Sequence, residues 1–156
     1  MRTQPDWGYT LVELVVVVLV LSLFITVATP YFLGWLHQYR LEAATVVLAN
    51  HLRAARLLSI YTGVKHQLQI KKMGAGNYYQ VVKDPGGADT LVTSIGRVVL
   101  DKRFGEVMIQ GIPATGRITF SPKGTSNPAT ILLENVTGTQ VRIIVSNFGR
   151  VRVEYL

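Results

Sequence analysis

Cysteine is absent from the 156-residue sequence, which excludes a disulfide framework and a thiolate nucleophile. Charge is scarce as well, at 16% of the residues against about 25% in ordinary soluble domains. Hydrophobic residues make up 49%, and a chain so apolar and so weakly charged is neither disordered nor a plain soluble globule. Enzyme signatures are missing too: there is no His-Glu-x-x-His, no Gly-x-Ser-x-Gly elbow and no P-loop. His37, His51 and His66 have no metal-ligand spacing. Asp84 and Asp89, flanking Pro85-Gly86-Gly87, read as a turn rather than a calcium loop. The sequon Asn135-Val136-Thr137 carries little weight without a eukaryotic secretory context. No catalytic, metal-binding or cofactor-binding residue is therefore assigned, and the chain is read as a non-enzyme without a cofactor. What charge there is leans one way, with 16 Lys and Arg against 9 Asp and Glu and a net charge of +7. Such a balance favours acidic partners, nucleic acid or anionic lipid among them.

The apolar excess is concentrated in one segment. From Tyr9 to Leu36 the only charge in 28 residues is Glu13, and Leu14 to Ala28 holds just two polar residues, Ser22 and Thr26. A membrane-spanning helix needs about 20 mostly apolar residues. A core helix apolar on every side would need a far larger domain around it than the remaining 120 residues supply. The segment is read as a membrane helix. Pro30, inside it, removes the backbone bond to the Thr26 carbonyl and is expected to kink or loosen the helix. Met1 to Gly8 lacks the features of a secretory signal, and no small-x-small cleavage site follows the apolar run. The one plausible cut lies ahead of the run, so the greasy helix would begin the mature chain.

The residues there read Gly8-Tyr9-Thr10-Leu11-Val12-Glu13, and they resemble the class III leader of type IV prepilins and pseudopilins. Tyr9 stands where that family usually has Phe. The resemblance implies cleavage after Gly8 by a prepilin peptidase at the inner membrane and N-methylation of the new terminal Tyr9. It also implies that Glu13 attracts the terminal amine of a neighbouring subunit during assembly with other pilins. The physical reason is plain: a carboxylate costs roughly 2.5–3.5 kcal/mol at the centre of a bilayer and needs a positive partner. The competing reading is that Glu13 merely favours the dipole of a helix N-terminus. A proline at the position of Pro30 extends the resemblance through the membrane segment.

Beyond Leu36 the pattern becomes amphipathic. Leu41, Ala44, Val47, Leu48, Leu52, Ala55 and Leu58 recur at helical spacing, opposite Glu42, Asn50, Arg53 and Arg56, and His51 falls on the apolar side. The helix is expected to end near Gly63. After it come β-formers, with strands expected at 66–70, 78–83, 97–100, 106–110, 116–120, 130–133, 140–146 and 150–155. The fold class is α+β: a long N-terminal helix packed on an antiparallel β-sheet domain. The organisation is a leader at 1–8, a transmembrane and assembly helix at 9–36, its amphipathic continuation at 37–63 and a β-rich domain at 64–156.

Gly116-Arg117-Ile118-Thr119-Phe120-Ser121-Pro122-Lys123-Gly124 and the closing Val145-to-Val153 stretch resemble GspH/FimT-type minor pilins and pseudopilins. The Gly149-Arg150-Val151-Arg152 run matches the G-R-x-R motif with which FimT-like pilins bind DNA in natural transformation. From charge and proximity alone, Arg142 on the opposite strand and Lys123 join the expected DNA-binding set. Forked guanidinium donors two residues apart in a strand share a face and suit the phosphates of double-stranded DNA. The plainer reading is a basic edge strand protected against aggregation. The resemblance implies a single-pass inner-membrane protein with a periplasmic C-terminal domain, later part of a pilus. Its nearest alternative is a GspH-like pseudopilin of a type II secretion system with no DNA role.

Overall fold

A computed structural model describes residues 9–73, 76–86, 90–92, 95–105 and 107–156. The chain forms two compact units, divided between Leu36 and His37. The first is one apolar helical segment. Helix α1 (Leu11–Thr62) starts behind Thr10, whose Oγ1 accepts the backbone N–H of Glu13 at 3.2 Å, so Thr10 is the N-cap and Glu13 the third residue of the first turn. From Leu11 to Leu36 the helix is about 39 Å long at 1.5 Å per residue, more than the roughly 30 Å of a hydrocarbon core. Its apolar side chains are exposed, and no part of its most apolar stretch is buried. The hydroxyls of Ser22, Thr26 and Thr29 each donate to a carbonyl three or four residues back, at 2.7–2.8 Å. The serine and threonine hydroxyls on this stretch are thus satisfied within the helix, which suits a lipid surrounding. Pro30 lies inside α1, which continues on both sides of it.

The second unit, His37–Leu156, begins with the remainder of α1. Leu41, Ala44, Leu48, Leu52 and Ala55 are fully buried, the stripe that their spacing sets on one side of a helix. Gly63, at φ +68°, ends it in the left-handed conformation.

Nine strands follow among the described residues, in two antiparallel sheets, the α+β arrangement that the sequence led us to expect. The first holds β1 (His66–Met73), β2 (Gly76–Lys83), β3 (Thr90–Leu91), β4 (Arg97–Val99) and β6 (Arg117–Phe120). Its order is β3-β2-β1-β6, with β4 also on β2. The second runs β5-β7-β8-β9, from β5 (Met108–Gly111), β7 (Ala129–Glu134), β8 (Gln140–Val145) and β9 (Val151–Tyr155). Strict alternation in β7 and β8 puts Ala129, Ile131, Leu133, Val141, Ile143 and Val145 into the core. They meet Leu68, Tyr79, Val81, Ile118 and Phe120 of the first sheet in one cluster with α1.

After β6 the chain turns back at Ser121–Gly124 and makes one antiparallel bridge, Ser126 to Phe120. Asn127 then occupies the β6 edge: its Oδ1 accepts the Thr119 N–H at 2.6 Å and its Nδ2 donates to the Arg117 carbonyl at 3.1 Å. Two short elements were not expected, β3 and the five-residue helix α2 (Leu100–Phe104). Leu100, expected to close a strand, is instead the buried first residue of α2, because Asp101-Lys102-Arg103 offers no alternation to extend β4. Glu106, expected to open a strand, lies outside the described residues, as does Asp89; β5 starts at Met108.

His51 sits half-buried on α1 with its Nδ1 2.8 Å from the Tyr79 hydroxyl. Burial, and then the positive charge of Arg103, lower its pKa below the usual 6.5; burial raises that of Tyr79 against the opposing effect of Arg103. With the folded pKa depressed, the unfolded chain takes up the proton first as pH falls. Stability is therefore expected to decline from about pH 6.5 downward, towards the lowered pKa of the folded state. Urea unfolding of the full chain in detergent at a series of pH values checks this, and His51→Gln should flatten that part of the profile.

Candidate nucleic-acid interface

The β8–β9 connection is a tight turn held at several points. Gly149 N–H donates to the Ser146 carbonyl at 2.8 Å, Ser146 N–H to the Arg150 carbonyl at 3.0 Å, and Arg150 N–H to Ser146 Oγ at 3.2 Å. A second turn, Ser121 to Gly124, closes through Gly124 N–H on the Ser121 carbonyl at 2.9 Å. Ser126 ties the two regions together: its N–H donates to the Asn147 carbonyl at 2.9 Å and its Oγ to the Ser146 carbonyl at 2.8 Å.

Gly149 has φ +69°, and a Cβ placed there would fall on the Gly124 carbonyl oxygen and lie 2.8 Å from Arg56 Nε. Only glycine allows that approach. Arg56 completes the junction from the helix by donating Nε–H to the Gly124 carbonyl at 3.0 Å. Two turns far apart in the chain thus meet over the helix, and a cavity of about 300 Å³ opens there, lined by Arg53, Arg56, Leu57, Gly149, Arg150 and Val151.

Three arginines therefore surround one cavity, and two of them, Arg53 and Arg56, were not in the expected set. Their signal in the sequence was a pair of cations at i and i+3 on the polar side of the helix, which by itself reads as a solvated face. Arg53 donates to Asn50 Oδ1 at 3.0 Å, and Arg56 spends one donor on Gly124. Further donors remain on each guanidinium, which carries five. Arg150 lines the cavity, whereas Arg152 lies one strand repeat further along the same outward row, exposed and beyond it. Lys123, in the Ser121–Gly124 turn, is exposed beside the junction. Neither Arg150, Arg152 nor Lys123 makes a side-chain hydrogen bond or ion pair among the described residues.

Arg142 differs from the other cations. It lies opposite Glu154 in the β8–β9 register, with its Nη1 3.9 Å from a Glu154 carboxylate oxygen. An exposed pair at this distance adds little stability, but the carboxylate offsets the charge that Arg142 would offer an anion. Phe148, at the tip of the turn, is 79% exposed.

The other sequence-selected residues lie elsewhere. Gly8 is outside the described residues. Tyr9 is exposed ahead of α1, and Glu13 is in its first turn. The sequon asparagine, Asn135, closes the β7–β8 turn: its Oδ1 accepts from Thr137 N–H, Thr137 Oγ1 and Thr139 N–H at 2.7–3.0 Å. Its Nδ2, the atom a glycan would need, is buried.

A long N-terminal helix whose second half packs on antiparallel sheets is the fold of the type IV minor pilins and pseudopilins. Two solved structures share it. The minor pseudopilin EpsH of the type 2 secretion system of Vibrio cholerae matches with a TM-score of 0.55 at 13% identity, over 72% of this chain and 94% of that one. The type IV minor pilin FimU of Pseudomonas aeruginosa matches with a TM-score of 0.57 at 16% identity, over 77% of this chain and 92% of that one. No protein-family model matches the sequence, and no curated protein matches it at a significant level.

The junction yields a stability prediction. Gly149→Ala should cost about 1–3 kcal/mol from the left-handed backbone alone, with the steric contact adding to it. Gly138, at φ +82° with open space around it, isolates the backbone part. Denaturant melts should show Gly149→Ala clearly more destabilising than Gly138→Ala; equal losses would mean the junction has no steric role.

Proposed function

We propose that this protein is a minor type IV pilin of the FimT-like kind, which enters a pilus through its N-terminal helix and captures extracellular DNA for uptake in natural transformation. In this reading a prepilin peptidase cleaves after Gly8, Tyr9 is N-methylated, and the chain waits in the inner membrane with residues 37–156 in the periplasm until it assembles with other pilins. Glu13 then pairs with the terminal amine of a neighbouring subunit. The protein acts by binding and assembly, without catalysis or a cofactor. The pilin fold and the apolar helix support this part.

One observation carries the DNA reading: unpaired cations on two turns and a helix converge on a single junction held by Gly149. Arg150, Arg152 and Lys123 make no ion pair among the described residues, and Arg53 and Arg56 extend the positive field into the cavity. Guanidinium groups of this kind fit phosphate oxygens bidentately. The contacts would be made to the backbone of double-stranded DNA, independent of base sequence. Arg142 is a minor contributor, since Glu154 stands beside it. The second reading, a GspH-like pseudopilin acting only through protein contacts, is favoured by the likeness to EpsH, which is as good as that to FimU.

DNA titration separates the two. With the full chain in detergent, affinity for a duplex should fall with salt at a log–log slope of about −0.9 per phosphate neutralised. Arg150→Gln/Arg152→Gln should weaken binding uniformly across sequences and make that slope shallower by about 2. Equal affinity for parent and variant would leave the pseudopilin reading. For assembly, Glu13→Ala should leave cleavage intact, as judged by the mass of the mature chain, while abolishing recovery of the protein in sheared pili.

A further inference from the structure

Phe148 is spent on nothing inside the molecule. The other two phenylalanines of the second unit, Phe104 and Phe120, lie against or within the core, whereas Phe148 is 79% exposed at the outermost point of the β8–β9 turn. Leaving a phenylalanine in water forgoes the gain from burying it. A loose loop could fold such a ring back onto the surface, but this turn is pinned. Asn147 on one side is held through its carbonyl by Ser126 N–H at 2.9 Å, and Gly149 on the other through its N–H to Ser146 at 2.8 Å. The left-handed φ of +69° at Gly149 then turns the chain sharply, directly after the ring. The aromatic side chain is thus presented outward on a rigid tip, two residues from Arg150 and beside the turn that carries Lys123.

An aromatic ring on a fixed tip flanked by cations is the arrangement that binds single-stranded nucleic acid: the cations follow the backbone while the ring stacks on a base. In a duplex every base face is already covered by its neighbours, and a phenyl ring gains a stacking partner only by unstacking a step, at a cost. Unpaired bases present their faces freely. Resting on the DNA-binding reading above, we propose that Phe148 is a base-stacking residue that gives the site a preference for single-stranded DNA, or for the unpaired ends of a duplex, over an intact duplex. The arginines would set overall affinity, and Phe148 the choice between strand states.

The test is fluorescence anisotropy with the full chain in detergent at fixed salt, using a labelled oligo-dT strand, an abasic strand of equal length and a blunt duplex. The parent protein should bind oligo-dT about ten-fold more tightly than the abasic strand, and Phe148→Ala should abolish that ratio while changing duplex affinity by less than about two-fold. Phe148→Trp should keep or enlarge the ratio. Equal parent affinity for the dT and abasic strands, or a ratio that survives Phe148→Ala, would overturn the stacking role with duplex binding intact. The ring would then be a contact for another protein surface. Absence of binding to all three probes would overturn the stacking role and the DNA reading together. Since Phe148 makes no packing contact with the core, unchanged melting of Phe148→Ala serves as the folding control.

Discussion

The junction at Gly149 depends on a missing side chain. Three pieces of backbone that are remote in sequence, the last turns of α1, the Ser121–Gly124 turn and the β8–β9 turn, come together where a single Cβ would force them apart. Arg56 makes the contact possible and profits from it, since its stem fills the space beside Gly149 while its Nε–H satisfies the Gly124 carbonyl. Gly124, itself at φ +77°, leaves room on the other side for Ile60. Everything distinctive about the electropositive cavity follows from this packing: Arg53 and Arg150 line the same space because the hairpin is drawn against the helix.

The core beneath is conventional by comparison. Leucines and alanines on one side of α1 join the inner faces of two sheets in one core. The two polar residues buried along that stripe, Thr45 and Ser59, donate their hydroxyls to backbone carbonyls, Thr45 to Leu41 at 2.7 Å and Ser59 to Ser121 at 3.0 Å. Ser59 thus adds a second strut between the helix and the turn that carries Lys123.

Much of this was legible in the residues. Period-3.6 spacing of leucine and alanine marked the buried side of α1, and Gly63 marked its end. The strands whose residues alternate, β7 and β8, fell within a residue or two of expectation. What escaped was what has no local signature. Thr90–Leu91 is a strand only because Val82 and Lys83 stand beside it. Asn127 is a loop residue whose pairing with β6 depends on distance in space. The site shows the same contrast. Gly149, Arg150 and Arg152 form a linear pattern, but Arg53 and Arg56 join it through tertiary contact almost a hundred residues away. Arg142 was placed in the set by its sign of charge, and the cross-strand position of Glu154 changes its weight.

Asn127 has one more implication. A strand at the rim of a sheet offers its unused amides and carbonyls to any passing chain, and a protein that is half hydrophobic has most to lose from such encounters. By spending both ends of one carboxamide on Thr119 and Arg117, beside the Ser126 bridge to Phe120, the fold takes up backbone groups of that rim with an uncharged side chain. Another chain that meets this rim finds those groups already taken, so a chance encounter there does not knit two sheets into one.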